Sequence, residues 1–151
     1  MRLQQIVAGT DFSVGAKQAI AMAVRLATSV AGTVSVTLVH VCEHGADERD
    51  DERRMRESAE ALSEIVATYR QRGAELTAIL RGGTPWEKLD NVAAEVGAGL
   101  IVIGRHGGGR GGALPIGSVA ERLVRSASRP VLTVPCDFAR LDVEPNAPDR
   151  H

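Results

Sequence analysis

Short apolar runs alternate with amphipathic stretches along most of this chain, and that alternation restricts the fold more than any other feature. The runs are Leu3 to Ala8, Val34 to Val41, Leu76 to Leu80, Leu100 to Ile103 and Val131 to Val134. Each is short, and the runs are rich in branched residues, as buried strands are. Between the first two, Val14 to Val30 carries Ala16, Ala19, Ile20, Ala23, Val24 and Ala27 on one helical face, small side chains suited to close packing on a sheet. Glu43 to Asp51 reads as a polar, acidic loop. Arg53 to Arg72 reads as a second helix with Met55, Ala59, Leu62, Val66 and Tyr69 inward, its charged residues a solvated face, and Gly73 as its C-terminal cap.

Thr84-Pro85-Trp86-Glu87 opens a third helix: Thr84 as N-cap, Pro85 at the first helical position and Glu87 closing a capping box. Trp86, Leu89, Ala93 and Val96 form its inner face. A fourth helix runs from Ser118 to Ser126, with Ser118-Val119-Ala120-Glu121 as a second capping-box pattern. Pro130 and Pro135 bracket the last strand, which suits a sheet edge. Five strands joined by four helices predict a single-domain α/β fold, an open parallel Rossmann-like sheet with helices on both faces. The domain is expected over residues 1–136, and the polar stretch 137–151 is expected to be a tail.

Composition removes several function classes. Hydrophobic residues make up 44% and charged residues 25%, as in ordinary globular proteins, while aromatics at 3% leave the core to Val, Leu, Ile and Ala. A net charge of -1 and the lack of aromatic stacking platforms argue against nucleic acid as a partner. No apolar run approaches the roughly 20 residues of a membrane span. The first residues enter a strand pattern without a signal-peptide core, so a cytoplasmic protein is expected. Cys42 and Cys136 are too few and too far apart for a disulfide framework or zinc cluster, and each is expected to be a small buried thiol after a strand.

The chemistry concentrates in Gly104 to Ser118, GRHGGGRGGALPIGS, which links the fourth strand to the fourth helix. Glycines let a backbone approach a ligand, and the first N–H groups of the following helix point at an anion. No Asp or Glu occurs from Val96 to Ala120, whereas Arg105 and Arg110 do, so the loop is a local positive island able to pair with phosphate oxygens. In open parallel sheets the ligand sits beyond the C-terminal strand ends where the winding reverses. That nominates this loop together with Gly9, Thr10, Asp11, Phe12 and Ser13 after the first strand.

Three competing motifs fail. Gly107 to Gly112 spells GxGxxG, but it follows the fourth strand and has no acidic residue about 20 positions on to hold a ribose. Neither Lys17 nor Lys88 lies in a P-loop pattern. The first turn holds GTDFS, where an ATP pyrophosphatase would carry its glycine-rich phosphate motif.

On these residues the chain resembles the universal stress protein family over roughly residues 2–135. Gly104, Gly107, Gly117 and Ser118 fit the pattern G-x2-G-x9-G-[S/T] of its nucleotide-binding branch, and VAGTDFS and GSVAERLVRSASRPVLTVP match its opening and closing segments. The resemblance implies strand order 3-2-1-4-5 and ATP as ligand, with Mg²⁺ bridging phosphate oxygens as it ordinarily does. Thr10 and Asp11 would line the adenosine side and Val41 the base, although strand packing explains Val41 equally well. Gly104 and Gly107 would shape the phosphate loop, and Gly117, Ser118 and Val119 would hold the phosphates. Capping and phosphate binding would compete for the Ser118 hydroxyl. Four further glycines inside the loop exceed the family's usual number. The implied function is a nucleotide-dependent regulator of stress response that acts on an unidentified protein partner, as a homodimer paired through Val131 to Val134. Slow ATP hydrolysis, with His106 as a candidate base, and a nucleotide-free interaction module stand as alternatives.

Overall fold

The computed structural model describes residues 3–107 and 115–137. Arg110 and the other residues of the loop interior from 108 to 114 lie outside them, as does the tail beyond Asp137. The elements are β1 (Gln5–Gly9), α1 (Val14–Ser29), β2 (Ser35–Cys42), α2 (Glu48–Gln71), β3 (Leu76–Gly82), α3 (Pro85–Glu95), β4 (Leu100–Gly104), α4 (Ser118–Ser126) and β5 (Val131–Val134). All strand pairs are parallel and the sheet order is β3-β2-β1-β4-β5, which puts β1 at the centre and β5 at an edge. Val7 faces Thr37 on one side and Ile101 on the other.

Strand alternation divides the core in two. Ile6 and Ala8 pack with Ala19, Ile20, Ala23 and Leu62 from α1 and α2. Val7 packs with Leu89, Val92, Ala93, Ala120 and Leu123 from α3 and α4. Both sheet faces are therefore covered, as the sequence predicts.

Helix α2 departs from expectation at its start. It begins at Glu48, so the acidic loop ends at Asp47, whose carboxylate caps the helix by accepting from Arg49 N at 3.0 Å. Glu48, Asp50 and Asp51 fill the first turn, where acidic side chains offset the positive end of the helix dipole. A reading by apolar period misses such a turn because nothing in it is apolar. Ala59 is exposed, and Ser58 and Ile65 join the half-buried face around Leu62. At the other end Gly73 adopts φ +87° and donates to Arg70 O, while Ala74 donates to Tyr69 O, a Schellman closure that favours glycine.

The two expected capping boxes are absent. Thr84 is the N-cap residue of α3 but its side chain makes no capping hydrogen bond, and Pro85 at the first position already removes one donor in need. The N-cap of α4 is Gly117, with Ser118 the first helical residue. The thiols also differ from expectation: Cys42 closes β2 half-buried and Cys136 is exposed.

Candidate functional site

The C-terminal ends of β1, β2 and β4 open into a cavity of about 720 Å³. Its position follows from the sheet order. Connections leave β1 and β4 toward opposite faces, so the loops after these neighbouring strands part and leave a crevice.

The loop after β1 is held by a local hydrogen-bond ladder. Thr10 N donates to Val39 O at 2.9 Å, continuing the sheet by one residue. Phe12 N donates to Thr10 Oγ1 at 3.0 Å and Ser13 N to Asp11 Oδ1 at 3.0 Å. Ser13 then caps α1 by accepting from Ala16 N at 3.2 Å. Phe12 has φ +65°, the only non-glycine in the left-handed region among the described residues. Thr10 is buried, while Asp11 is exposed at the cavity.

The loop after β4 lies against it, backbone to backbone. A Cβ on Gly104 would stand 2.9 Å from Gly15 C, and one on Gly15 would stand 2.6 Å from His106 O. A Cβ on Gly107 would reach 2.8 Å from Asp11 Oδ2, so the carboxylate and the glycine occupy one another's space. Arg105 donates from its backbone N to Val134 O at 2.8 Å and accepts from Gly117 N at 2.6 Å, which pins the start of α4 beside the end of β4. The two loops nominated by the winding rule therefore meet.

Nine of the ten residues expected at the site line this cavity: Gly9, Thr10, Asp11, Val41, Gly104, Gly107, Gly117, Ser118 and Val119. The tenth, Arg110, is outside the described residues. Arg105 is exposed and only its backbone is engaged here, whereas His106 is half-buried on the wall. The first intrahelical bond of α4 is Glu121 N to Gly117 O at 2.9 Å. The N–H groups of Ser118, Val119 and Ala120 precede it and have no partner within the helix. Since Gly117 takes the cap position, the expected competition between capping and binding for Ser118 Oγ disappears.

The opposite end is formed by β2 and α2, and sequence reasoning found only Val41 of it. Cys42, Glu43, Arg54, Glu57 and Ser58 line it, with Cys42 Sγ 3.6 Å from Ser58 Oγ. Arg54 pairs with Asp50 and Asp51. The Gly45 N–H at 2.8 Å, and after it the Arg54 guanidinium, hold the Asp51 carboxyl below the usual carboxylate range. Asp51 in turn raises Arg54, keeping it charged. Leu89, Val39, Ile103 and Pro85 supply apolar lining. His40, also missed, has Nδ1 2.7 Å from Thr10 O and its ring 4.5 Å from that of Phe12. The available signal was its position beside Val41 at a C-terminal strand end. The α2 residues fall inside the helix expected from Arg53 to Arg72, where the charged positions read as a solvated face. Among the described residues, no three His, Cys, Asp or Glu side chains are grouped to hold a metal, and no helix is long and apolar enough to cross a membrane.

Fold and cavity together define an open, doubly wound α/β protein with a ligand crevice at its topological switch point. The chain belongs to the universal stress protein family, whose sequence profile matches residues 2–135. It is similar to a solved protein of that family from Burkholderia pseudomallei, with 29% identity and TM-score 0.70 over 87% of this chain and 96% of that one. It is likewise similar to the Archaeoglobus fulgidus universal stress protein in complex with dAMP, at 28% identity and TM-score 0.66, covering 87% and 97% of the two chains. A universal stress protein in complex with cAMP has 25% identity and TM-score 0.66, with 87% and 96% covered. No curated protein sequence matches the chain.

Proposed function

We propose that this protein binds an adenine nucleotide, ATP in the first instance, in the cavity at the ends of β1, β2 and β4. The observation that carries the reading is the start of α4. Three backbone N–H groups and the Ser118 hydroxyl, which makes no capping hydrogen bond, border a cavity that also contains Asp11 and Thr10. Such a terminus suits phosphate, because unpaired donors and the helix dipole act together. In this reading Gly117, Ser118 and Val119 hold phosphates, Gly104 and Gly107 leave room for them, and Arg110 pairs with their oxygens. Gly9, Thr10 and Asp11 line the adenosine, with the base toward Val41. The dAMP and cAMP held by two similar proteins support the adenine nucleotide class.

Mg²⁺ fits only as a companion of the phosphates. With no group of three His, Cys, Asp or Glu side chains placed to hold a metal among the described residues, phosphate oxygens and water would supply its ligands. The metal would neutralise phosphate charge, while the chain's donors orient the phosphate group.

The protein acts, on this proposal, as a cytoplasmic regulator of stress response whose nucleotide occupancy changes the surface offered to a protein partner. Edge strand β5 pairs two copies, which protects an open edge from aggregation. Residues 1–136 form the functional domain and residues 137–151 its tail.

Mass spectrometry of small molecules released from freshly purified protein tests this reading, with Ser118→Ala and Gly117→Ala in parallel. Stoichiometric ATP in the wild type and its loss in the variants is the expected result. ADP or AMP instead would favour slow hydrolysis, for which His106 on the cavity wall is the available base. A wild type that is empty and binds no added ATP by calorimetry overturns the proposal and leaves a nucleotide-independent interaction module.

A further inference from the structure

The geometry assigns His40 as a positioning residue of the nucleotide site, one that holds Asp11 in place by gripping the residues on either side of it. The inference rests on the nucleotide-binding reading above and adds to it a residue that reaches Asp11 from a different strand.

Three observations converge on the loop after β1. Thr10 O lies 2.7 Å from His40 Nδ1. A carbonyl oxygen only accepts, so Nδ1 carries the proton and donates, which fixes the orientation of the ring. The ring then stands 4.5 Å from that of Phe12 at an interplanar angle of 37°. Phe12 occupies the left-handed region, at φ +65°, a conformation unfavourable for a bulky side chain. A residue held there needs surroundings that over-determine it. The hydrogen bond from Phe12 N to Thr10 Oγ1 and the packing on His40 are those surroundings.

Asp11 lies between the two gripped residues. Its Oδ1 accepts from Ser13 N, and its Oδ2 occupies the place that a Cβ on Gly107 would need. A shift of the Thr10–Phe12 backbone therefore moves the carboxylate relative to the loop after β4. Phe12 packs into the α1 side of the core, while Asp11 beside it lines the cavity. His40 thus fixes where the carboxylate stands and leaves the charge of the site to Asp11.

The test compares His40→Leu, which removes the donor, with His40→Asn, whose Nδ2 can take the place of Nδ1 and donate to Thr10 O. ATP affinity by calorimetry is the readout, with thermal unfolding of each variant alongside. His40→Leu is expected to weaken ATP binding about tenfold and His40→Asn to stay within about threefold of wild type. A merely structural role would lower the unfolding temperature of His40→Leu and leave the ATP affinity of the folded protein unchanged. A double-mutant cycle with Asp11→Ala separates the route: because His40 works through Asp11, His40→Leu should cost little further affinity once Asp11 is gone. Phe12→Gly is the second variant. It suits the left-handed backbone but removes the ring from His40 and from the core, so its unfolding temperature should fall, and its ATP affinity, read at a temperature where the variant is still folded, should fall as well. Equal ATP affinity in wild type, His40→Leu and Phe12→Gly overturns the assignment, as does full additivity in the cycle. A wild type that binds no ATP instead refutes the nucleotide reading itself.

Discussion

Replacing Gly104 by alanine tests the contact on which the site is built. Gly104 ends β4 against the first turn of α1, and the added Cβ would stand 2.9 Å from Gly15 C, 3.0 Å from Gly15 O and 3.3 Å from Ala16 N. All three atoms are backbone, so no side chain can rotate away, and strand or helix must shift. Overpacking of this kind costs about 1–3 kcal/mol. Alanine recovers about 0.4–1 kcal/mol by narrowing the unfolded ensemble, since the glycine has no left-handed φ to lose. The net expectation is a destabilisation of about 1–2 kcal/mol, or about 2–8 °C in the midpoint for a chain of this length. Urea unfolding followed through the single tryptophan, Trp86, measures it. The midpoint should fall with an unchanged slope, because the surface exposed on unfolding is the same. Gly117→Ala gives the scale: its nearest backbone atoms are 3.2 to 3.4 Å away, so its loss should be the smaller. A Gly104→Ala protein as stable as wild type would refute the claim that β4 and α1 meet backbone to backbone.

Three further outcomes follow from particular residues. Ser118→Ala should change stability by no more than about 0.5 kcal/mol, because its hydroxyl caps nothing, yet weaken ATP binding; a stability loss near the roughly 1 kcal/mol of a true N-cap would contradict the assignment of Gly117 to that position. Leu123 is fully buried between α4 and the sheet, so Leu123→Ala should cost about 2–5 kcal/mol in urea unfolding, and a cost under about 1 kcal/mol would mean that α4 is not docked there. The folded Asp51 carboxyl titrates below the unperturbed value of 3.8, so its contribution is complete above that value and is lost as pH falls through the lower folded one. An NMR titration of the Gly45 amide should therefore inflect below pH 3.8, and an inflection at or above it would show that the carboxylate does not hold the loop.

The two apolar layers of the core were legible in the sequence, although Ala59 and the two thiols are less buried than their positions suggest. The strands and helices of both layers follow from apolar period, and β5 and α4 carry the expected bounds, Val131–Val134 and Ser118–Ser126. The strand order came from family likeness, since parallel pairing leaves no local mark comparable to a hairpin turn. The illegible parts were polar. The first turn of α2 is acidic and stabilised by Asp47 and by its dipole, so no apolar period announces it, and Arg54, Glu57 and Ser58 inside the expected helix carry no mark that separates them from its solvated face. His40 was hidden for a related reason. Its hydrogen bond goes to a carbonyl 30 residues away, and nothing in a local window shows that partner.

The glycine pattern divides by physical cause once the neighbours of each position are known. Gly104 must lack a side chain because the α1 backbone fills the space, a requirement that exists whether or not a ligand binds. Gly117 caps α4 and packs on Arg105 O and His106 Cα, which is also complete without a ligand. Among the described residues Gly107 meets only the Asp11 carboxylate, so its constraint concerns the alignment of two loops across the cavity. Ser118 is the remaining position, and neither helix capping nor core packing calls for its hydroxyl, since it is exposed and one residue past the cap. A chain with this fold alone would need the first two glycines and could dispense with that serine. The weight of the nucleotide reading therefore falls on Ser118 and on the Gly107–Asp11 contact.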